Sequence, residues 1–184
     1  MLRSVLALAW SASALTQGTR FGRRSVVRMA GLDVAGDESI MKNKAHGTSE
    51  TPVQENLRWS VDVKNADRIC NYNRHYAESR GSWESTAFLQ EHDGSSEVTF
   101  YDSNTGKALF YAPRGRSWEE FVKESKSHGW PSFREEEVNW EFVRTLPGGE
   151  SVSVDGTHLG HNIPDRDGNR YCINLISVAG SPVV

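Results

Sequence analysis

The chain has 184 residues, a hydrophobic fraction of 37% and six tryptophans, enough for one packed domain and too little for two large ones. Its net charge of −3, with Lys and Arg scattered rather than striped, lacks the electrostatic footprint of a nucleic-acid binder. The two cysteines, Cys70 and Cys172, lie far apart, so they make neither a disulfide framework nor a four-thiolate zinc site, and they fit a reducing compartment with both thiols free.

Residues 1–31 differ in kind from the rest. Arg3, Arg20, Arg23, Arg24 and Arg28 occur among Ser and Thr, with no acidic residue before Asp33, which is the composition of an organelle-targeting presequence. An apolar run over 5–14 follows Arg3 and ends in an A-x-A-like site at Ala12, Ser13 and Ala14. It is too short to span a bilayer. An apolar core followed by an Arg-rich tract fits a two-part presequence for a plastid reached through the secretory system. A simple mitochondrial or plastid presequence is the plainer alternative. The expected location is therefore the plastid, with the mitochondrion as the alternative, and no membrane association after the presequence is removed. Residues 32–56 are polar, lack periodicity and read as a flexible linker with no core of its own. The folded domain is expected to span 57–184.

Within that domain, 67–80 carries patchy helical spacing through Ile69, Tyr72 and Tyr76. Residues 97–101 alternate and 107–111 are β-prone, and the turn residues 102–106 between them predict a hairpin. Ser117 and Glu120 form a capping box, after which Trp118, Phe121 and Val122 begin an amphipathic helix that runs to about Ser127. Gly129 ends it and Pro131 prevents its resumption. Four strands are expected at 138–146, 151–154, 158–163 and 170–178, separated by Gly-, Asp- and Asn-rich turns. The predicted fold is mainly β, a small antiparallel sheet or barrel with a few short flanking helices. Trp59, Trp83, Trp118 and Trp140 are assigned to core or interface.

The chemistry concentrates in the last two strands. With Arg166 and Asp167 as the central pair of the turn, His161 lies directly opposite Cys172; with Asp167 and Gly168 as the centre, it faces Asn174. Either way, alternation puts Cys172 and Asn174 on one face. Directly opposed residues have β-carbons about 4.5–5.5 Å apart, within reach for an imidazole to meet a thiol or an amide. An imidazole beside a cysteine favours its thiolate, the nucleophilic form, and Arg170 adds a fixed charge of the same effect. A lone strand cysteine is usually an inert small hydrophobe and a lone histidine an ordinary polar residue, so it is their co-location that singles them out. A metal site is the rival reading. His158 and His161 near Asp165 and Asp167 offer nitrogen and oxygen ligands to iron or zinc. Histidines three apart on a flat strand point to opposite faces, however, so chelation by both requires a bend or bulge at Gly160. The Asp165–Gly168 stretch lacks the spacing and closing glutamate of a calcium loop and is read as turn chemistry.

Taken together, Gly-Trp-Pro-Ser-Phe from Gly129, His-Leu-Gly-His from His158 and Arg-Tyr-Cys-Ile-Asn from Arg170 resemble the B-type methionine sulfoxide reductases in order and separation. The resemblance covers roughly residues 97–178. It implies a methionine sulfoxide reductase B-like fold and a peptide-methionine (R)-S-oxide reductase. Cys172 then falls on the catalytic cysteine, and His158, His161, Asn174 and Arg170 fall on the family's accompanying site residues. Trp130 falls on the tryptophan that helps form the methyl pocket, with Phe133 as a second apolar wall.

The departures also carry information. Asp102 and Thr105, and Val152 and Asp155, stand where most members carry two C-x-x-C pairs for a structural zinc, so no structural zinc is expected. His128 replaces the usual resolving cysteine, and Leu175 the usual serine after the asparagine. Regeneration then falls to Cys70 as a possible resolving thiol or to an external donor. The implied partners are oxidised proteins or peptides and a thioredoxin or glutaredoxin donor, with a monomeric enzyme and no cofactor beyond the thiol reductant. Two other classes stay open: a metal-dependent β-domain enzyme built on His158 and His161, and a non-catalytic domain of the same fold that binds methionine peptides.

Overall fold

Two antiparallel sheets and a few short helices make up residues 34–183, the part of the chain described by the computed structural model. The presequence reading of 1–31 lies outside the described residues. No helix among them is long and apolar enough to cross a membrane.

The predicted hairpin forms from β1 (Val98–Tyr101) and β2 (Ala108–Ala112). Its turn closes because the Asp102 carboxylate accepts from the backbone N–H of Asn104 at 2.8 Å, while Gly106 takes the left-handed φ of 68°. Helix α1 (Val63–Tyr72) starts four residues earlier than the periodicity implies, because Asp62 caps it by accepting from the Asn65 N–H at 2.6 Å. It stops at Tyr72, so 73–81 is loop rather than helix. A single turn, α2 (Phe88–Glu91), precedes β1. Helix α3 (Trp118–His128) has the expected capping box between Ser117 and Glu120 and ends on Gly129 at φ 92°.

The second sheet has the order β3-β7-β6-β5-β4, antiparallel throughout. Its strands are β3 (Ser132–Phe133), β4 (Val143–Thr145), β5 (Glu150–Ser153), β6 (His158–Asn162) and β7 (Tyr171–Ile173). Two strands are shorter than expected. Before β4, the carbonyl of Asn139 accepts from the N–H groups of Phe142 and Val143, which makes 139–143 a turn. After β7, a 3-10 turn (Leu175–Ser177) replaces continued strand. The two-residue β3 has no periodicity to read and exists because it pairs with β7.

The main core is aromatic, with Trp83, Phe88, Phe100, Phe110 and Phe121 all inaccessible to solvent. Phe133 belongs to it, stacked on Phe110 at 4.4 Å between ring centroids and edge-on to Phe100 at 4.9 Å. This corrects its expected place as a substrate-pocket wall. Along β3 the alternation sends Phe133 inward and leaves Ser132 on the β7 cysteine's face. Trp59 and Trp83 are buried, and Trp118 and Trp140 pack partly buried against the same core.

The linker reading of 32–56 is also corrected: from Val34 on, this stretch is packed. The Gly36 N–H donates to the Thr145 carbonyl and the Thr145 N–H to that of Val34, extending the β4 edge. Met41 joins Leu146 and Val152 in a second small core, and Val53 joins the main one. Lys44 donates to the carbonyls of Ile40, Thr48 and Asp155, and the Thr48 hydroxyl to that of Gly156. Burial here comes from a few isolated side chains and bonded polar groups, so no sequence period announces it.

Asp102, Thr105, Val152 and Asp155 stand at the four positions where the resemblance implies zinc thiolates. The fully buried Asp102 carboxylate accepts from the Thr157 hydroxyl at 2.9 and 3.0 Å, and burial pushes its pKa above the ordinary value. Asp155 is paired with Lys107 at 2.9 Å and Val152 lies in the small core. Two carboxylates already bonded elsewhere, a threonine and a valine do not supply the four thiolates that hold a structural zinc ion.

Candidate active site

A bulge in β6 assembles the site. Ser151 pairs with Gly160 but the next residue, Val152, pairs with His158, so Leu159 is the extra residue. The bulge turns His158 and His161 to the same side, with ring centroids 5.8 Å apart. Only glycine fits at 160, since a β-carbon there would lie 2.1 Å from the Cys172 carbonyl oxygen.

Across the sheet the register is Gly160 to Ile173 and His161 to Cys172, the first of the two alternatives read from the turn. Asp165 and Gly168 bridge, which leaves Arg166 and Asp167 as the central pair. Ser132 opposes Cys172 on the other side, and Glu150 opposes His161. The result is a cross-strand row running Ser132, Cys172, His161, Glu150.

Cys172 is partly exposed. Its sulfur receives Arg170 Nη1 at 2.5 Å and lies 3.8 Å from Ser132 Oγ. Arg170 is 5% exposed and is held by Asp165 through Nε at 3.2 Å. The partly exposed sulfur therefore faces a fixed, buried cationic donor, and a charge-assisted bond is stronger than a neutral one. His158 is buried and binds Glu150 Oε1 through Nδ1 at 2.7 Å. His161 has its pKa lowered, first by burial and then by the neighbouring His158.

Asn174 is 1% exposed; its oxygen accepts from the Glu78 N–H at 3.1 Å, while Nδ2 has no partner among the described residues. A buried, unsatisfied amide donor is costly unless something accepts from it. It lines a cavity of about 140 Å³ together with Cys172, His158, His161 and Trp130. Five of the sequence-predicted site residues thus converge there, with Arg170 one bond behind the sulfur.

Two do not. Phe133 is in the core, and Cys70 is fully buried on α1, donating to Ser177 Oγ at 3.5 Å. Burial pushes the Cys70 thiol far above its ordinary pKa, and it is not among the residues lining the cavity. A desolvated thiol of this kind is a poor attacking group.

The metal reading fares no better. Both oxygens of Asp165 are engaged by Arg134, at 3.1 and 2.9 Å, and hydrogen bonding to that guanidinium holds its pKa down to about 2. Among the described residues, the group of three ligating side chains close enough together to share an ion is Glu124, His128 and Asp165, and neither His158 nor His161 belongs to it. Arg116 and Arg134 already bind Glu124, so cationic charge fills that cluster.

Sequence reasoning misses the third wall, where His75, Tyr76 and Ala77 enter the cavity from the loop after α1. Glu78 secures that loop. Its carbonyl accepts from Trp130 Nε1 at 3.0 Å and its carboxylate from the Leu175 N–H at 2.7 Å. No local pattern marks these residues; their signal is a set of contacts made at long range. Burial raises the Glu78 pKa from 4.5 to about 7. Because the folded value exceeds the unfolded one, the contribution is full below about pH 4.5 and is lost as pH rises through about 7. At roughly 1.4 kcal/mol per pH unit the cost at alkaline pH is on the order of 3 kcal/mol. Glu78→Gln, which keeps an acceptor for Leu175, is therefore expected to be stabilised at about pH 8.5 and nearly neutral at about pH 4.5 in urea unfolding. An equal change at both pH values would refute this assignment.

Comparison of the chain with protein-family models, with curated proteins and with solved structures finds no match in any of the three.

Proposed function

We propose that the protein is a thiol-dependent reductase acting on R-configured methionine sulfoxide in peptides and proteins, with Cys172 as nucleophile and a fold of the methionine sulfoxide reductase B type. The observation that carries the reading is the convergence on one small cavity of a guanidinium-bonded thiol, two imidazoles, an unpaired amide donor and a tryptophan. A sulfoxide needs these groups: a nucleophile for sulfur, donors for oxygen and an apolar wall for the methyl group.

In this reading Trp130 bounds the methyl group, and the unpaired Nδ2 of Asn174 donates to the sulfoxide oxygen. The Cys172 thiolate attacks the substrate sulfur while an imidazole of the His158–His161 pair delivers a proton to the oxygen. The S–O bond breaks, the oxygen passes to Cys172 as sulfenic acid, and methionine leaves. Substrate sulfur gains two electrons and cysteine sulfur loses two. An external dithiol, of the thioredoxin or glutaredoxin kind, then attacks Cys172, releases water, and resolves the mixed disulfide by its second thiol. The burial of Cys70 favours this direct route over an internal resolving thiol.

The test is an epimer-resolved assay on a methionine sulfoxide peptide with dithiothreitol. Loss of the R epimer alone is expected. Reduction of neither epimer, or of the S epimer only, would overturn the reading.

A further inference from the structure

The bulge that gathers the histidines also brings a carboxylate to them. Glu150 faces His161 across the β5–β6 ladder and reaches His158 Nδ1 at 2.7 Å, at a position 1% exposed, where water does not compete. On its other side Glu150 is gripped by Arg74, whose Nε lies 3.1 Å and Nη2 2.6 Å from Oε2. Arg74 in turn binds Glu38 at 2.8 Å. Both Arg74 and Glu38 lie outside the 97–178 segment that carries the family resemblance.

We infer that Glu150 is a positioning residue: it pins the hydrogen of His158 on Nδ1 and leaves Nε2 as the nitrogen available to the substrate. The physical basis is the donor inventory. An ionised carboxylate can only accept, so the imidazole nitrogen facing it must carry hydrogen, whether the ring is neutral or charged. Glu150 is ionised because the hydrogen bonds from His158 and Arg74 outweigh a desolvation that acts in the opposite direction, which holds its pKa below the ordinary carboxylate value. With Nδ1 fixed, only Nε2 changes its proton content, so a proton taken from solvent and given to the sulfoxide oxygen passes through that atom. The catalytic consequence rests on the reductase reading; the tautomer assignment does not.

The test uses the ¹⁵N-labelled protein and its Glu150→Gln variant. Two-bond H–N correlation spectra are recorded at about pH 8.5, with His158 assigned by comparison with His158→Asn. In the parent, His158 is expected as the Nδ1–H form. In Glu150→Gln, Arg74 should claim the amide oxygen, turn the NH₂ toward His158 and force the Nε2–H form. The same variant should lose kcat on the R-sulfoxide peptide by roughly 10- to 1,000-fold with KM little changed, as expected when an orienting group is lost from behind a catalytic histidine. A purely structural role would leave the tautomer unmoved. An Nε2–H ring in the parent, or an Nδ1–H ring in both proteins, overturns the proposal even if the chain reduces no sulfoxide at all. A flipped tautomer with unchanged kcat overturns the catalytic part alone. Glu150→Asp should keep the parent tautomer and recover part of the rate, and failure to do so would count against the carboxylate.

Discussion

On the proposed reductase reading, Cys172→Ser is expected to abolish reduction of the R epimer, by at least about a thousandfold in kcat/KM, while leaving the fold intact. Removing a covalent nucleophile costs more than removing any supporting group, because nothing else in the site can form the bond. The hydroxyl remains within reach of Arg170 and Ser132, so the contacts around the sulfur survive in kind and the change stays local. Its oxygen is nevertheless a hydroxyl of very low acidity, and it cannot take up the sulfoxide oxygen as a sulfenic acid. The companion variant is Cys70→Ala. It removes a buried side chain from α1 and is expected to lower stability modestly while preserving turnover driven by dithiothreitol. Alkylation of the native protein followed by peptide mapping should modify Cys172 and spare Cys70, in keeping with their exposure. Equal activity in Cys172→Ser and parent would eliminate Cys172 as nucleophile. A Cys70–Cys172 disulfide trapped after one turnover without external thiol would restore Cys70 as the resolving thiol.

How far the sequence reaches depends on whether a feature is local. The α3 helix is legible because Ser117, Glu120 and Gly129 are its boundaries, each acting within one turn. The β1–β2 hairpin is legible because its turn residues sit between two short β-prone runs. The pairing of His161 with Cys172 is half-legible: strand alternation leaves two registers, and only the bridge between Asp165 and Gly168 selects one. Alternation shows only that His158 and His161 can share a face if the strand bends or bulges near Gly160; that it does so, against β5, comes from the structure. What stays hidden depends on tertiary contact. Phe133 and Ser132 are adjacent, one in the aromatic core and one beside the Cys172 sulfur, and only the pairing of β3 with β7 decides which is which. The 34–56 stretch packs through single side chains and backbone bonds without periodicity. The loop carrying His75 and Tyr76 takes its place from bonds that Glu78 makes with residues about fifty and a hundred positions away.

The second large effect is expected at Arg116, a residue remote from the cavity that nonetheless underlies it. Glu137 is fully buried, and its carboxylate accepts from Arg116 Nε at 2.9 Å and Nη2 at 2.5 Å as well as from the Arg134 N–H at 2.8 Å. Arg116 Nη2 also donates to the Ser132 carbonyl at 2.6 Å, and Ser132 is the β3 residue opposite Cys172. Arg116→Ala strands a desolvated carboxylate, a loss of about 3–5 kcal/mol against a typical total of about 5–15. Burial already raises the Glu137 pKa, and removing its guanidinium partner raises it further. A group with a raised folded pKa loses its contribution as pH increases, so the variant's deficit should be larger at about pH 8 than at about pH 5. Arg116→Ala combined with Glu137→Gln removes the charge as well as its partner and should recover much of the loss, since an unpaired ion costs more than a neutral amide. Urea unfolding of the three proteins at the two pH values measures each term. A deficit below about 1 kcal/mol, or one that is unchanged by Glu137→Gln, would mean that the pair behaves as a solvent-screened surface bridge. The expected ordering would instead make the buried Arg116–Glu137 pair, whose arginine also holds the Ser132 carbonyl opposite Cys172, a main contributor to the stability of the fold.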